Sequence, residues 1–375
     1  MALILNGTTG ISGTNALTGV TGVNSGQIGG RRNIVYNGEM KVAQRSTSVT
    51  GIGASSGYFT LDRWYMFLQA TAGRLTMAQV ADGPAGFANC MKLTTTTADT
   101  SIAAGERLQL LQVFEGQDLQ HLKKGTSSAE AVTVSFYVKA NAAALYVCEL
   151  LDSDGSRMNT QSFAVTTDWN RIELTFVGDT ASAIVDDNTA SLYLSIWLHG
   201  GSTFTGGTFA SNTWAASTAA NRFAVANRTS IFDATSRTFF ITGVQMELGS
   251  KATEFESRSF GEELALCQRY CFVMAPSTNA SVAPAFARST TVAFGIAELP
   301  VTMRATPSLA FSANNDFQVQ FLGSVATSTA MAASPELHKN MIAFTATVSS
   351  GLTAGQGMYI RDLNGGATIT AAAEL

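Results

Sequence analysis

The sequence predicts a mainly β protein: an antiparallel β-sandwich, one short connecting helix, and a second, smaller β-sandwich domain behind it. Three observations carry that expectation. Apolar residues recur at every second position through most of residues 33–248, and turn residues rather than helical stretches separate those runs. One segment alone, beginning near Ser259, shows a convincing helical period. Strands with a single apolar face joined by short turns belong in antiparallel sheets, because parallel strands need long crossovers.

The elements follow in chain order. Residues 1–30 contain no charged side chain and step between Gly, Thr, Ser and Asn. Such a stretch cannot bury enough apolar surface to offset its own ordering entropy. It reads either as a disordered tail or as an arm that orders on a partner. The spacing of Leu3, Ile4, Leu5, Ile11 and Leu17 favours the second, an anchoring arm over 1–32. Alternation is cleanest where Val132, Val134, Phe136 and Val138 interleave with Thr133, Ser135, Tyr137 and Lys139. Ile172, Leu174 and Phe176 repeat the pattern, as do Leu192, Leu194, Ile196 and Leu198. Leu61–Gln69, Phe87–Thr95, Arg107–Phe114, Leu145–Leu151 and Thr238–Leu248 read as further strands. Asp82-Gly83-Pro84 and Asp152-Ser153-Asp154-Gly155 supply turns, and a short helical piece is expected at Asp118–Leu122. Gly200–Ala234 is a long insertion whose Phe204, Phe209, Trp214 and Phe223 argue against disorder.

Ser259-Phe260-Gly261-Glu262 has the form of a capping box, and Phe260, Leu264, Cys267 and Cys271 would share one helical face, with the helix ending near 272–276. Alternation then returns at Val292–Ile296, Leu309–Phe311, Phe317–Phe321, Ile342–Val348, Met358–Ile360 and Ala367–Thr370. The expected organisation is an arm over 1–32, a sandwich over 33–255, a connecting helix over 256–275 and a β domain over 276–375.

Composition narrows the function classes. Of the 375 residues only 13% are charged while 46% are hydrophobic, and the net charge of −4 provides no polycationic surface for nucleic acid. No apolar run reaches the ~18–20 residues that cross a bilayer as a helix, so membrane insertion is not expected. Four scattered cysteines are too few for a disulfide framework in a chain of this size.

Enzymatic constellations are sparse. His121, His199 and His338 stand in no paired-ligand spacing and read as surface or strand-end residues. Cys267 and Cys271 lack a second ligand pair and read as buried thiols. Asp152–Ser156 lacks the later acidic ligand of a calcium loop and reads as a hairpin turn. Asp186 and Asp187 read as a loop pair rather than opposed catalytic carboxylates. No catalytic residue, cofactor or metal is therefore expected. The informative residues are aromatic. Tyr193 and Trp197 share the polar face of a strand whose other face is aliphatic, and an exposed pair of that kind suits stacking on a pyranose ring. The competing reading packs this face on a neighbouring subunit or the long loop. Trp214, inside that loop, carries the same two readings, whereas Trp64 and Trp169 read as core.

Several motifs resemble those of a known group. Asn33-Ile34-Val35-Tyr36-Asn37-Gly38-Glu39-Met40 with Gln44-Arg45, and Tyr58–Trp64, are similar to the opening of bacteriophage tail-fibre and related virion proteins. Ala131–Ala140, Trp169–Phe176 and Ile241–Gly249 resemble strands of the carbohydrate-binding-module jelly rolls that such proteins carry. Arg258–Tyr270 resembles the helix that follows the jelly roll, and Leu299–Pro307 also fits. The resemblance implies a virion component with a jelly-roll sandwich, no catalytic residues and, usually, a homotrimer. Tail-fibre attachment to a host surface polysaccharide is the leading expectation, with residues 1–32 held by other virion proteins. The alternative is a head fibre, capsid decoration or neck-attached protein without receptor binding.

Overall fold

The computed structural model describes residues 31–375 together with the backbone of Gly22–Val23 and Gly26–Gln27, which pair antiparallel. The arm positions Leu3, Ile4, Leu5, Ile11 and Leu17 lie outside the described residues.

The two-residue period builds the sandwich. Its strands are β1 (Ser48–Ile52), β2 (Tyr65–Gln69), β3 (Arg74–Val80), β4 (Cys90–Thr97), β5 (Arg107–Glu115) and β6 (Val132–Ala140). They continue with β7 (Ala144–Asp152), β8 (Arg157–Val165), β9 (Asn170–Phe176), β10 (Ala190–Gly200) and β11 (Thr238–Leu248). One six-stranded sheet runs β8–β7–β10–β5–β2, with the two-residue strand Ala215–Ala216 beside β8. The other runs β9–β6–β11–β4–β3–β1. The pairings within both are antiparallel. Chain-adjacent strands repeatedly change sheet, and the whole is an antiparallel jelly-roll sandwich. Val134, Phe136 and Val138 of β6 face Leu194, Ile196 and Leu198 of β10 through one apolar core that also holds Trp64, Tyr146 and Phe239.

Departures from the sequence reading have local causes. β2 begins at Tyr65 rather than Leu61, because Thr60–Trp64 turns sharply: Arg63 has φ +70° and Trp64 N donates to Leu61 O at 3.3 Å. That turn sends the Trp64 indole inward, where Nε1 donates to Asn37 O at 3.1 Å. Strand β8 was not anticipated because Asn159-Thr160-Gln161-Ser162 interrupts its apolar alternation. The piece at Asp118–Leu122 resolves into two 3-10 turns, Gly116–Asp118 and Gln120–Leu122. Trp169 is only half-buried and lies on an outer face, its ring edge against Phe240, so it is not a core residue.

Helix α1 spans Phe260–Gln268, and Ser259 Oγ accepts from Glu262 N at 3.3 Å as the capping pattern implies. It ends earlier than expected, and Cys271 lies in the next strand. Its buried positions are Glu263 and Cys267, while Phe260 is 57% exposed. The helix packs on the polar entry segment: Glu263 Oε1 accepts from Asn37 N at 2.6 Å and pairs with Arg258. A stripe read from apolar spacing could not find a face built on a carboxylate.

The remaining chain forms a second core around Phe317, Val319, Phe344 and Ile360. A three-stranded sheet joins β12 (Cys271–Met274), β15 (Ser308–Phe311) and, between them, β21 (Ile369–Ala372). A seven-stranded sheet holds β13 (Ser281–Ala287), β14 (Val292–Glu298), β16 (Phe317–Phe321), β17 (Ser324–Thr327), β18 (Ala330–Ala333), β19 (Met341–Thr347) and β20 (Gly357–Asp362). Pro284 sits in the interior strand β13 beside a register shift between Ser281 and Ala283, the kind of irregularity that lets a residue without an N–H enter a sheet.

Candidate ligand-contact face

In an antiparallel sheet, residues directly opposite one another point to the same side. The outer side of the first sheet is therefore legible from its register. One row runs Phe67, Gln109, Trp197, Val147 and Ser162. The next runs Tyr65, Leu111, Ser195, Glu149 and Thr160, and a third runs Val113, Tyr193, Leu151 and Met158.

The insertion after β10 covers one end of this face. A helical turn at Ser202–Thr205 and a 3-10 turn at Ala219–Asn221 bring Phe204 and Phe223 onto Trp197. The Phe223 ring stacks on it at 5.9 Å between centroids, and Phe204 lies at 5.4 Å. Glu149 fixes the cover: its carboxylate accepts from Trp197 Nε1 at 2.8 Å and from Arg222 Nε and Nη2, each at 2.7 Å. The Trp197 indole is fully buried, so the expectation of an exposed Tyr193–Trp197 pair is corrected. Trp197 packs under the long loop, the competing reading of the sequence. Tyr193 remains half-buried on the face, its phenol pKa raised by burial and the nearby Asp154.

Trp214 is not brought to the same place. It precedes Ala215, which pairs with Met158 at the sheet edge, and its Nε1 donates to Val177 O at 2.6 Å with Lys124 Nζ 5.0 Å from the ring centroid. Lys124 in turn pairs with Asp152 and Asp179, so Trp214 caps an ion-pair cluster.

The face holds residues that the sequence reading did not single out. Tyr65 and Phe67 are half-buried on the edge strand β2, ring centroids 6.4 Å apart, and Tyr58 lies 4.9 Å beyond Tyr65. Arg45 stands over Tyr58 at 5.2 Å, and Arg107 over Phe67 at 4.1 Å. Burial, with the positive Arg222 nearby, lowers the Arg107 pKa. Burial raises that of Tyr58. Between Phe67 and Trp197 lies Gln109, 2% exposed, whose Nε2 has no partner among the described residues; Arg107 Nε is likewise unpaired. The signal in the sequence was the period of two through Tyr65, Phe67 and Gln69, overlooked because the strand was placed four residues too early.

Chemically, the face offers aromatic surface, amide and guanidinium donors, and a carboxylate already committed to Arg222 and Trp197. Asp186 and Asp187 lie apart in a loop, where Asp187 Oδ1 accepts from Thr189 N at 2.8 Å. Cys90, Cys148, Cys267 and Cys271 are free and buried.

No protein-family model matches the chain, and no curated protein matches it. Fold and face together define an antiparallel β-sandwich protein of jelly-roll type. Solved structures similar to it include a family 4 carbohydrate-binding module, at TM-score 0.30 and 13% identity, covering 56% of this chain and 97% of that one. The enzymatically active domain of tailspike protein 4 from bacteriophage CBA120 is similar at TM-score 0.29 and 12% identity, covering 58% of this chain and 21% of that one. A family 11 carbohydrate-binding module of a Clostridium thermocellum cellulosomal cellulase is similar at 0.27 and 12%, covering 54% and 96%.

Proposed function

We propose that this chain is a non-catalytic virion surface protein of tail-fibre type. It adheres to a host surface polysaccharide through the outer face of the first sheet and is anchored by residues 1–32. The observation that supports adhesion is the edge of that face. Half-exposed Phe67 lies opposite buried Gln109, whose amide nitrogen lacks a partner among the described residues, with half-exposed Tyr65 in the next row and Tyr193 in the row beyond. Aromatic surface beside directed donors is the chemistry that holds a sugar ring: C–H groups stack on the π-face while hydroxyls take the polar groups. An unpaired buried donor is costly, and a sugar hydroxyl would satisfy this one once the Gln109 side chain turns outward. The motif resemblance supports the virion setting. As a homotrimer of 39.4 kDa chains, three weak sites would act together.

The full-length protein is tested for binding to host cells and purified envelope polysaccharide, beside Tyr65→Ala, Phe67→Ala and Tyr193→Ala. The reading requires wild-type binding that weakens by about tenfold for at least one of the three variants, the effect of ~1.4 kcal/mol of lost contact. A wild type that binds neither, at any valency, removes the adhesion. Immunogold labelling of intact particles then separates a tail fibre from a head fibre or neck-attached protein. Release of reducing sugar ends would overturn the non-catalytic reading.

A further inference from the structure

Away from that face, two carboxylates and an imidazole converge where the loop from Asp99 to Glu106 meets the end of β10. One ligand atom from each of Asp99, Glu106 and His199 lies within 4.8 Å of the others, and all three residues are buried. His199 Nε2 is 3.1 Å from Glu106 Oε2, while on the far side of the ring Nδ1 is 2.8 Å from Ser230 Oγ. Each carboxylate is held in place by other groups. Asp99 Oδ2 accepts from Thr71 Oγ1 at 3.0 Å, Ala72 N at 2.8 Å and Gly73 N at 3.2 Å; Glu106 Oε1 accepts from Ala103 N at 2.8 Å. The edge of the imidazole rests against Phe232, ring centroids 5.3 Å apart.

What the cluster lacks is positive charge. Glu115, Glu149, Asp152 and Asp179 each meet a lysine or arginine. Among the described residues no Lys or Arg nitrogen lies within 4.0 Å of Asp99 or Glu106, whose one basic neighbour is His199. Two carboxylates and an imidazole gathered in a buried site, with no lysine or arginine paired with them among the described residues, form a donor set that a cation would complete.

We infer that Asp99, Glu106 and His199 form a divalent transition-metal site, ligated by His199 Nε2 and one oxygen from each carboxylate. One imidazole nitrogen with two carboxylate oxygens suits Zn²⁺, Mn²⁺ or Co²⁺; Ca²⁺ and Mg²⁺ prefer all-oxygen surroundings. Metal binding selects the neutral tautomer whose single proton is on Nδ1, which donates to Ser230 Oγ, the outer hydrogen bond that fixes a metal-bound imidazole. A cavity of about 290 Å³ lies beside the cluster, lined by Ile102 of the Asp99–Glu106 loop, Gly200 next to His199, Arg228 and Ser230. The ion would staple that loop to the Thr71–Gly73 turn and to the end of β10. No metal was expected from the sequence, since 6 residues separate Asp99 from Glu106 and His199 follows 93 residues after Glu106.

The full-length protein is stripped with EDTA, dialysed in turn against Zn²⁺, Mn²⁺ and Co²⁺, and assayed by elemental analysis, cobalt absorption and thermal melting. The site predicts about one retained equivalent of at least one metal and a melting temperature that rises with it and falls again with EDTA. His199→Ala and Asp99→Asn lose the metal, whereas His121→Gln and His338→Gln keep it. Should His199→Ala fail to fold, the wild-type cobalt spectrum decides: ligand-field bands of a protein-bound ion support the site, and the spectrum of aqueous cobalt overturns it. Folded wild type that retains none of the three metals, or retention unchanged in folded His199→Ala, also overturns it.

Discussion

Replacing Glu374 by glutamine isolates the tie between the two β units. The Arg63 guanidinium is fully buried. It pairs with Glu374, donates Nη2–H to Val113 O at 2.6 Å and lies 3.5 Å above the Tyr270 ring centroid. Burial alone would lower the Arg63 pKa, but the Glu374 carboxylate, with Tyr58 and Tyr270 beside it, raises it above its ordinary value. Glu374 also accepts from Arg45 Nη2 at 2.9 Å. Glu374→Gln keeps the shape and deletes the charge, so packing is unchanged while Arg63 is left uncompensated. With the Arg63 side chain 0% and the Glu374 side chain 11% exposed, water screens little of the loss. Removing one partner of such a buried pair costs about 3–5 kcal/mol. At about 2–4 °C per kcal/mol for a unit of 150–250 residues, melting falls by at least about 6 °C. Urea unfolding followed by two probes measures the shift in midpoint and shows whether the two cores unfold together. Arg63→Met with Glu374→Gln completes the cycle and recovers much of the loss, because an apolar replacement of a buried pair is often close to neutral. A Glu374→Gln midpoint within about 0.5 kcal/mol of wild type, the range of ordinary surface changes, refutes the reasoning.

Three further outcomes follow from the packing. Trp197→Ala empties the space beneath Phe204 and Phe223 and costs about 3–5 kcal/mol by denaturant unfolding, whereas half-buried Tyr193→Ala costs about 1 kcal/mol or less. Burial raises the Asp179 pKa, but hydrogen bonds from Arg157 and Lys124 outweigh it and hold the carboxyl below the usual carboxylate range. Its stabilisation is therefore complete above the unfolded-state pKa of about 3.9 and is lost as pH falls through the lower folded value. The stability gap between wild type and Asp179→Asn, measured by urea titration, holds from about pH 7 to 5 and narrows below about pH 4. Burial pushes the thiols of Cys90 and Cys271 up to about 11 and about 12, and those of Cys148 and Cys267 up as well. A chromogenic thiol reagent at pH 8 should leave all four untouched in the native protein and label all four in urea.

The sandwich was legible wherever one face of a strand meets the core and the other meets solvent, as in β6. It was obscured where the second face is also covered. In β11, Gln245 and Glu247 are fully buried because Thr253 and Glu256 fold back over them, Thr253 N donating to Glu247 Oε1 at 2.8 Å. The same effect misdirected the site reading. Period two placed Trp197 on the polar side of β10 but could not show that a loop some twenty residues further on closes over it. The motif resemblance falls largely on buried structural residues. Asn33, Asn37, Asp62, Arg63, Trp64, Arg258 and Glu263 sit together where the sandwich, α1 and the second β unit meet. Motifs of that kind report architecture, while Tyr65, Phe67 and Gln109 lie on the outer face.

The same junction fastens the chain where it enters the sandwich. Asn33 Nδ2 donates to Val244 O at 3.1 Å, its Oδ1 accepts from Met246 N at 3.1 Å, and its backbone N–H reaches Glu256 at 2.7 Å. Ile34 N donates to Met246 O at 2.8 Å, and the Arg258 guanidinium clasps the carbonyls of Asn33 and Val35. Under the proposed anchoring through residues 1–32, load would enter the described chain at Asn33–Val35, which these bonds tie to β11. Because β11 is an interior strand of its six-stranded sheet, a tether there would be held away from the sheet's edges.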